Sequence, residues 1–324
     1  MSYSIETHSI SGAEPGPHLL ITGGVHGDEF EPMAAARRLI DRLSPAQLAP
    51  QRLRGRVTLA PVVNVPAFRR GQRTADDGLD LARTCPGQAD GTITQQVAFA
   101  LSQLIRSADY YIDLHTGGTR LQVLPLAGYM LHPDSAICES QRRMARAFGL
   151  PLIWGSDWRL DGRSLSVARD AQVPAIYCEY QGGGGCDPQG VDAYEHGCLR
   201  VLADLGMLSA DATSTLPPPA SSPIVAEDAR PGAGHMQVNL PAPQDGFFEP
   251  AVVLGQWVEQ DSLFGHVVDV LGRRRAPVTT PHAGLVIVLH QFASVLAGES
   301  LGVVLDQDTI ISRPTPTRIA ESGS

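Results

Sequence analysis

At 324 residues, with 43% hydrophobic and 18% charged side chains, the chain has the make-up of a globular protein able to bury an extensive core. Its formal charge of −9 argues against nucleic acid or an anionic membrane as the main partner. All 25 basic residues are arginine; the absence of lysine excludes Schiff-base and pyridoxal-phosphate enzymes, Walker-type phosphate loops, and lipoyl or biotin carriers.

Short apolar runs alternate with longer amphipathic ones from 18 to 206, the pattern of an α/β domain. Residues 19–22 read as a strand and 31–43 as the helix behind it, with Met33, Ala36, Leu39, Ile40 and Leu43 on one face. A buried strand follows at 57–63. A helix at 92–105, capped by Thr92 or Thr94, leads into a strand at 110–114. Residues 135–148 form a helix that Gly149-Leu150-Pro151 breaks before the strand 152–154. A short helix at 164–171, a strand at 175–178, a glycine-rich turn at 182–185 and a helix at 191–205 complete the unit. Residues 209–223, rich in Pro and Ser, read as a linker.

Beyond the linker the period changes to that of short strands, at 247–250, 252–254, 263–268, 284–289 and 301–305. The expected organisation is a larger α/β domain at 1–208, a linker at 209–223 and a small all-β domain at 224–324. Gly255-Gln256-Trp257-Val258 and Ala297-Gly298-Glu299-Ser300-Leu301 resemble the half-barrel hairpins of lipoyl-like folds, and without a lysine a packing or capping role is expected. No apolar run approaches the roughly 20 residues that cross a bilayer. The segment 1–16 has no secretory-signal pattern. Five cysteines without a Cys-x-x-Cys pair suggest free thiols, so a cytoplasmic location is expected.

The chemistry concentrates in Gly23-Gly24-Val25-His26-Gly27-Asp28-Glu29 and, far downstream, Asp113-Leu114-His115. Two imidazoles and a carboxylate are the three-ligand set of an open catalytic zinc site, leaving a position for water. His-x-x-Glu supplies two ligands from a single turn, and a remote histidine completes the set. His26, His115 and Glu179 each fall at or just past a strand's C-terminal end, the edge where open α/β sheets gather ligands. Eight further histidines lack such a setting and are read as core or loop residues.

Gly24-Val25-His26-Gly27-Asp28-Glu29, the stretch Asp77-Gly78-Leu79-Asp80-Leu81-Ala82-Arg83-Thr84-Cys85-Pro86-Gly87, Asp113-Leu114-His115 and Glu179-Tyr180-Gln181-Gly182-Gly183 occur in this order. Over about 18–206 the chain thereby resembles the succinylglutamate desuccinylase/aspartoacylase family, a branch of the zinc carboxypeptidase-like deacylases. The C-terminal β module also looks like that of many bacterial members. The resemblance implies an α/β fold with a zinc-carboxypeptidase-like mixed β-sheet flanked by helices, and a smaller C-terminal all-β domain. It implies one Zn²⁺ per chain on His26, Glu29 and His115, with Glu179 moving the proton from water to the leaving amine. Arg73 is then the candidate for oxyanion stabilisation, with Arg69 and Arg70 close enough in sequence to compete. Arg83, with Arg70 beside it, is the candidate for binding a substrate carboxylate. Asp113 is placed to orient a ligand from behind. The chain departs from the family pattern at Ala82 and Cys85, where an Asn and an aromatic are usual, which leaves the substrate open.

The expected activity is a zinc-dependent amidohydrolase acting on an N-acyl amino acid or related small N-acyl amine. The rivals are a metallocarboxypeptidase acting on peptides and a non-catalytic metal-binding protein. The partner expected is a small N-acyl molecule, with no nucleic acid or membrane, and an exposed edge of the β module offers a route to a homo-oligomer.

Overall fold

The computed structural model of the protein describes residues 3–219 and 222–313. In chain order the strands are β1 (His8–Ser11), β2 (Glu14–Thr22), β3 (Arg54–Ala60), β4 (Tyr110–His115), β5 (Leu121–Met130), β6 (Leu152–Ser156), β7 (Ala175–Gly182), β8 (Ile224–Glu227), β9 (Gly246–Pro250), β10 (Trp257–Val258), β11 (Leu263–Val268), β12 (Arg275–Thr279), β13 (Gly284–His290), β14 (Ser294–Val295), β15 (Gly302–Asp306) and β16 (Ile310–Ser312). The helices are α1 (Phe30–Leu43), α2 (Val65–Arg70), α3 (Ile93–Arg106), α4 (Ser135–Phe148), α5 (Ser164–Asp170) and α6 (Pro188–Asp204).

A mixed sheet runs in the order β1-β3-β2-β4-β7-β5-β6-β8-β16, with β13 branching from β5 and carrying β10 and β15. A separate small antiparallel sheet, β12-β11-β9-β14, lies in the C-terminal part. The α/β class and the additional C-terminal β unit expected from the sequence are thus present. Helices α1, α4 and α6 cover the face bearing Ile21, Ile112, Leu114, Ile176 and Cys178. On the other face, α3 and α5 cover Leu20, Tyr111 and Tyr177. Asp113, His115 and Glu179 share the parity of Tyr111 and Tyr177, so they project toward that second face, and Cys178 packs on the first.

Most elements fall within a few residues of the sequence reading; β5 is absent from it. Its interior Pro125 and Gly128 read as loop signals, and the β5–β7 register does shift between Val123 and Leu126, around the residue with no N–H to donate. Two further findings concern the C-terminal part. Past the Pro-rich segment, whose residues 220–221 lie outside the described residues, β8 pairs in parallel with β6 and extends the main sheet. Later, β13 pairs with the start of β5, setting His290 opposite Leu121.

The loop that carries His26 and Glu29 is fastened to α2. Asn64 is fully buried; its side-chain N–H donates to the Val25 carbonyl (3.3 Å), and its oxygen caps α2 by accepting from the Ala67 N–H (3.2 Å). Gly27 is pressed on the same helix, where an added Cβ would stand 2.1 Å from the Ala67 carbonyl carbon. Gly27→Ala should therefore force the two apart and lower stability by about 1–3 kcal/mol, the usual cost of overpacking. Urea unfolding of the variant against wild type measures this.

Candidate metal centre and substrate pocket

His26 lies past the end of β2, Glu29 immediately precedes α1, and His115 is the last residue of β4. The parallel register Thr22↔Asp113↔Tyr177 levels the strand ends, and His115 pairs with Glu179 on β7. One ligand atom from each of His26, Glu29 and His115 lies within 4.8 Å of the others, and all three residues are buried. His26 Nδ1 is 2.7 Å from Glu29 Oε1, and His115 Nδ1 is 3.1 Å from Glu29 Oε2.

The far nitrogens decide what those rings do. His26 Nε2 is 3.1 Å from Asp80 Oδ1, and His115 Nε2 is 3.1 Å from Asp113 Oδ2. A carboxylate on one imidazole nitrogen fixes the tautomer and leaves the other as a lone pair for a cation. Both rings are set this way, each with Nδ1 turned to Glu29. The donor set therefore fits a divalent metal of borderline softness. The aspartates are themselves held. Asp113 accepts from Thr22 Oγ1 (2.8 Å) and from Ser164, and Asp80 takes two N–H bonds from Arg73, at 3.2 and 3.0 Å.

The electrostatics follow from burial. Burial by itself would lower the pKa of His115, but the charges of Asp113 and Glu29 outweigh it and hold the imidazole well above its ordinary value. Burial would likewise raise Glu29, yet the two histidines bring it far below the usual carboxylate range. Glu179 is different: burial dominates and pushes its carboxyl up to about 8, despite the opposing charge of His115. A base of that strength suits proton transfer near neutral pH.

The space directly over the triad measures about 60 Å³, and its walls include Arg73, Arg83, Arg163, Tyr177 and Glu179. Arg83 donates to the Ala82 carbonyl (2.6 Å) and to the side chain of Gln237. Burial and the neighbouring charge of Arg163 bring Arg83 down to about 10. Three buried polar atoms of this pocket have no partner: Glu179 Oε2, the Tyr177 hydroxyl and Arg163 Nη2. Nearby, Arg73 stands 3.7 Å from Glu29 Oε1.

Of the residues expected from the sequence, His26, Glu29, His115, Glu179, Arg73 and Arg83 are brought together. Arg70 is not. It is exposed at the end of α2, paired with Asp76 and Gln72, and it lines neither cavity. Gly71, at φ 59°, closes the helix and turns the chain so that Arg73 enters the site and Arg70 stays outside. Sequence reasoning missed Asp80, although it lies inside a recognised motif, because spacing does not say whose imidazole it meets. It also missed Arg163, Tyr177 and Gln237, which carry no local signature.

A family model for the succinylglutamate desuccinylase/aspartoacylase catalytic domain matches residues 15–205. The chain belongs to that family. It is 31% identical over 301 residues, 90% of this chain and 82% of the other, to the N-alpha-acetyl-L-2,4-diaminobutyric acid deacetylase of Halomonas elongata. Among solved structures, the succinylglutamate desuccinylase/aspartoacylase from Rhodobacter sphaeroides superposes with a TM-score of 0.80 at 26% identity, covering 93% of this chain and 88% of that one. The product-bound ectoine utilization protein EutE from Ruegeria pomeroyi gives 0.80 at 25% identity, covering 94% and 92%. With its buried His-Glu-His triad, this member of the family is an amide-bond hydrolase, a deacylase of N-acyl amino compounds. Among the described residues no helix is long and apolar enough to cross a membrane.

Asp80→Ala should weaken metal binding about 10–100-fold by freeing the His26 ring and Arg73 together; competition against a chelator measures it. Glu179 and His115 both have folded pKa values above their unfolded ones, so each contributes stability that is complete below the unfolded value and lost as pH rises through the folded one. The metal-stripped protein should accordingly melt at progressively lower temperature from about pH 5 to 9. Glu179→Gln should flatten part of that slope in thermal melts with a chelator present.

Proposed function

We propose that the chain is a zinc-dependent amidohydrolase that cleaves the amide of an N-acyl amino acid, using one Zn²⁺ per chain held by His26, Glu29 and His115. When bound there, the ion polarises the acyl carbonyl and lowers the pKa of water. The carrying observation is the set of unpaired buried atoms around the triad: a carboxyl, a phenol and a guanidinium, each lacking the partner that a substrate would provide.

Glu179, unpaired and with a raised pKa, takes the proton of the attacking water and delivers it to the departing nitrogen. Arg73 lines the pocket beside Glu29 and donates to the acyl oxygen as negative charge develops on it. Its guanidinium is held in place by Asp80, so it needs little reorganisation. Arg83 and Arg163 both line this pocket, close enough for the charge of Arg163 to act on Arg83, and together hold the substrate carboxylate. Gln237 touches Arg83 beside Ala82 and supplies the amide that the family pattern otherwise places before the arginine. Tyr177 offers its hydroxyl from the pocket wall.

The small volume over the triad favours a short acyl group over a peptide, and so deacylation over carboxypeptidase activity. The Halomonas relative makes Nα-acetyl-2,4-diaminobutyrate the first substrate to test among N-acetyl, N-formyl and N-succinyl amino acids. Zinc-loaded protein should hydrolyse a carboxylate-bearing member of this set in preference to its amide-capped analogue. Glu179→Gln should lower kcat about 10²–10⁴-fold with metal content unchanged. Turnover retained by that variant would remove Glu179 from the proton path.

A further inference from the structure

Gly234, Met236 and Gln237 wall the pocket over the triad, and all three come from the stretch between β8 and β9, which contains neither helix nor strand. Strands β4 to β7 and helix α5 supply most of the other walls. With this stretch seated, the space over the triad is about 60 Å³. Pockets that enclose a small ligand measure roughly 300–1,000 Å³. An N-acyl amino acid reaching from the triad to Arg83 and Arg163 therefore enters only if a wall moves. The wall outside the sheet and helices is the one that moves at least cost.

The segment is fastened at a few points. The Gly232 N–H donates to Asp157 Oδ2 (2.9 Å), and the Ala233 carbonyl accepts from the Asp157 N–H (3.2 Å). Gly234, at φ 92°, seats on the end of β6, where an added Cβ would stand 2.7 Å from Ser156 Cβ. At the other end, Ser300 Oγ lies 2.9 Å from the Met236 carbonyl and 2.7 Å from that of Asn239, tying the segment to the turn between β14 and β15.

The remaining fastenings are the two arginines. Arg163 donates through Nη1 to the Gly234 carbonyl (3.1 Å), and Arg83 donates through Nη2 to the Gln237 side chain. Arg163 Nη2, on the same guanidinium as the first of these donors, is buried without a partner. A planar guanidinium held at one terminal nitrogen has the direction of the other fixed. Both arginines are thus oriented by the segment, and both lose that hold when it lifts.

We propose that residues 232–239 are a lid that opens to admit the substrate and, when seated, completes the carboxylate site by orienting Arg163 through the Gly234 carbonyl and Arg83 through Gln237. Gly234 is a positioning residue, acting through Arg163. The link to the carboxylate rests on the deacylase reading above, whereas the opening of the segment does not. Closure that assembles the site around the right ligand is a source of specificity.

Two measurements on the full chain test this. The first is the rate at which dipicolinate strips zinc from the loaded protein. Gly234→Ala, whose Cβ meets Ser156, and Gln237→Ala, which releases Arg83, should each lose zinc at least about tenfold faster than wild type, because the open state is more populated. A rate equal to wild type in either variant overturns the lid and leaves the segment a fixed wall. The second is hydrogen exchange of 232–239, read by mass spectrometry in zinc-loaded Glu179→Gln so that the ligand is not consumed. Nα-acetyl-2,4-diaminobutyrate should slow exchange there at least about threefold with β6 unchanged, and its carboxamide analogue should leave it as it was. Equal slowing by both ligands, or by neither, overturns the link between lid and carboxylate. If exchange slows as expected but wild type does not hydrolyse the ligand, the lid stands and the deacylase reading falls for this substrate.

Discussion

The site is organised around one buried carboxylate, Glu29, clasped by two imidazoles that are each backed by an aspartate. Buried charge is tolerable only when it is compensated on every side. Glu29, Asp80 and Asp113 supply three negative charges in a small volume, and Arg73 together with the histidines supplies the positive ones. A divalent cation at the centre satisfies the same carboxylates while leaving both rings neutral, which is the state in which imidazole binds metal. This balance accounts for the hydrogen bonds that Thr22, Ser164 and Thr116 direct at the cluster.

That cluster is held by parts of the fold that would exist without it. Parallel pairing of β2, β4 and β7 levels three strand ends, so residues far apart in sequence arrive at one edge. Pleat alternation then sends Asp113, His115 and Glu179 to one face and Cys178 to the other. Asn64 and Gly27 couple the ligand loop to α2, and the left-handed Gly71 at that helix's end turns Arg73 inward. Metal affinity and fold stability are thus linked through the same few contacts.

The C-terminal part of the chain also reaches the pocket over the triad. Through β13 it extends the sheet at β5, and Gln237, in the segment leading into it, reaches Arg83 over the triad. The absence of lysine had removed any carrier role for its lipoyl-like hairpins, leaving a capping role. Of those hairpins, Glu299 and Ser300 line the larger cavity, of about 670 Å³, while Gly234, Met236 and Gln237 from the segment before them line the pocket over the triad.

What the amino-acid order determined by itself is the chemistry that local rules govern. Hydrophobic periodicity located every helix but the short α2, and most strands, though it also read a strand at 252–254 where the chain turns; glycines marked the sharp turns, and His-x-x-Glu with a distant strand-end histidine pointed to the buried triad. Composition alone removed every lysine-dependent mechanism. What only the tertiary structure decided depends on groups meeting across large sequence separations: Asp80 behind His26, Arg163 beside Arg83, and β13 against β5. The strand β5 was hidden because a proline and a glycine that signal a loop are accommodated by a bulge once β6 and β7 flank it. The choice of Arg73 over Arg70 is of the same kind. Both have identical side chains a few residues apart, and only the direction in which the backbone leaves α2 places one at the carboxylates and the other in solvent.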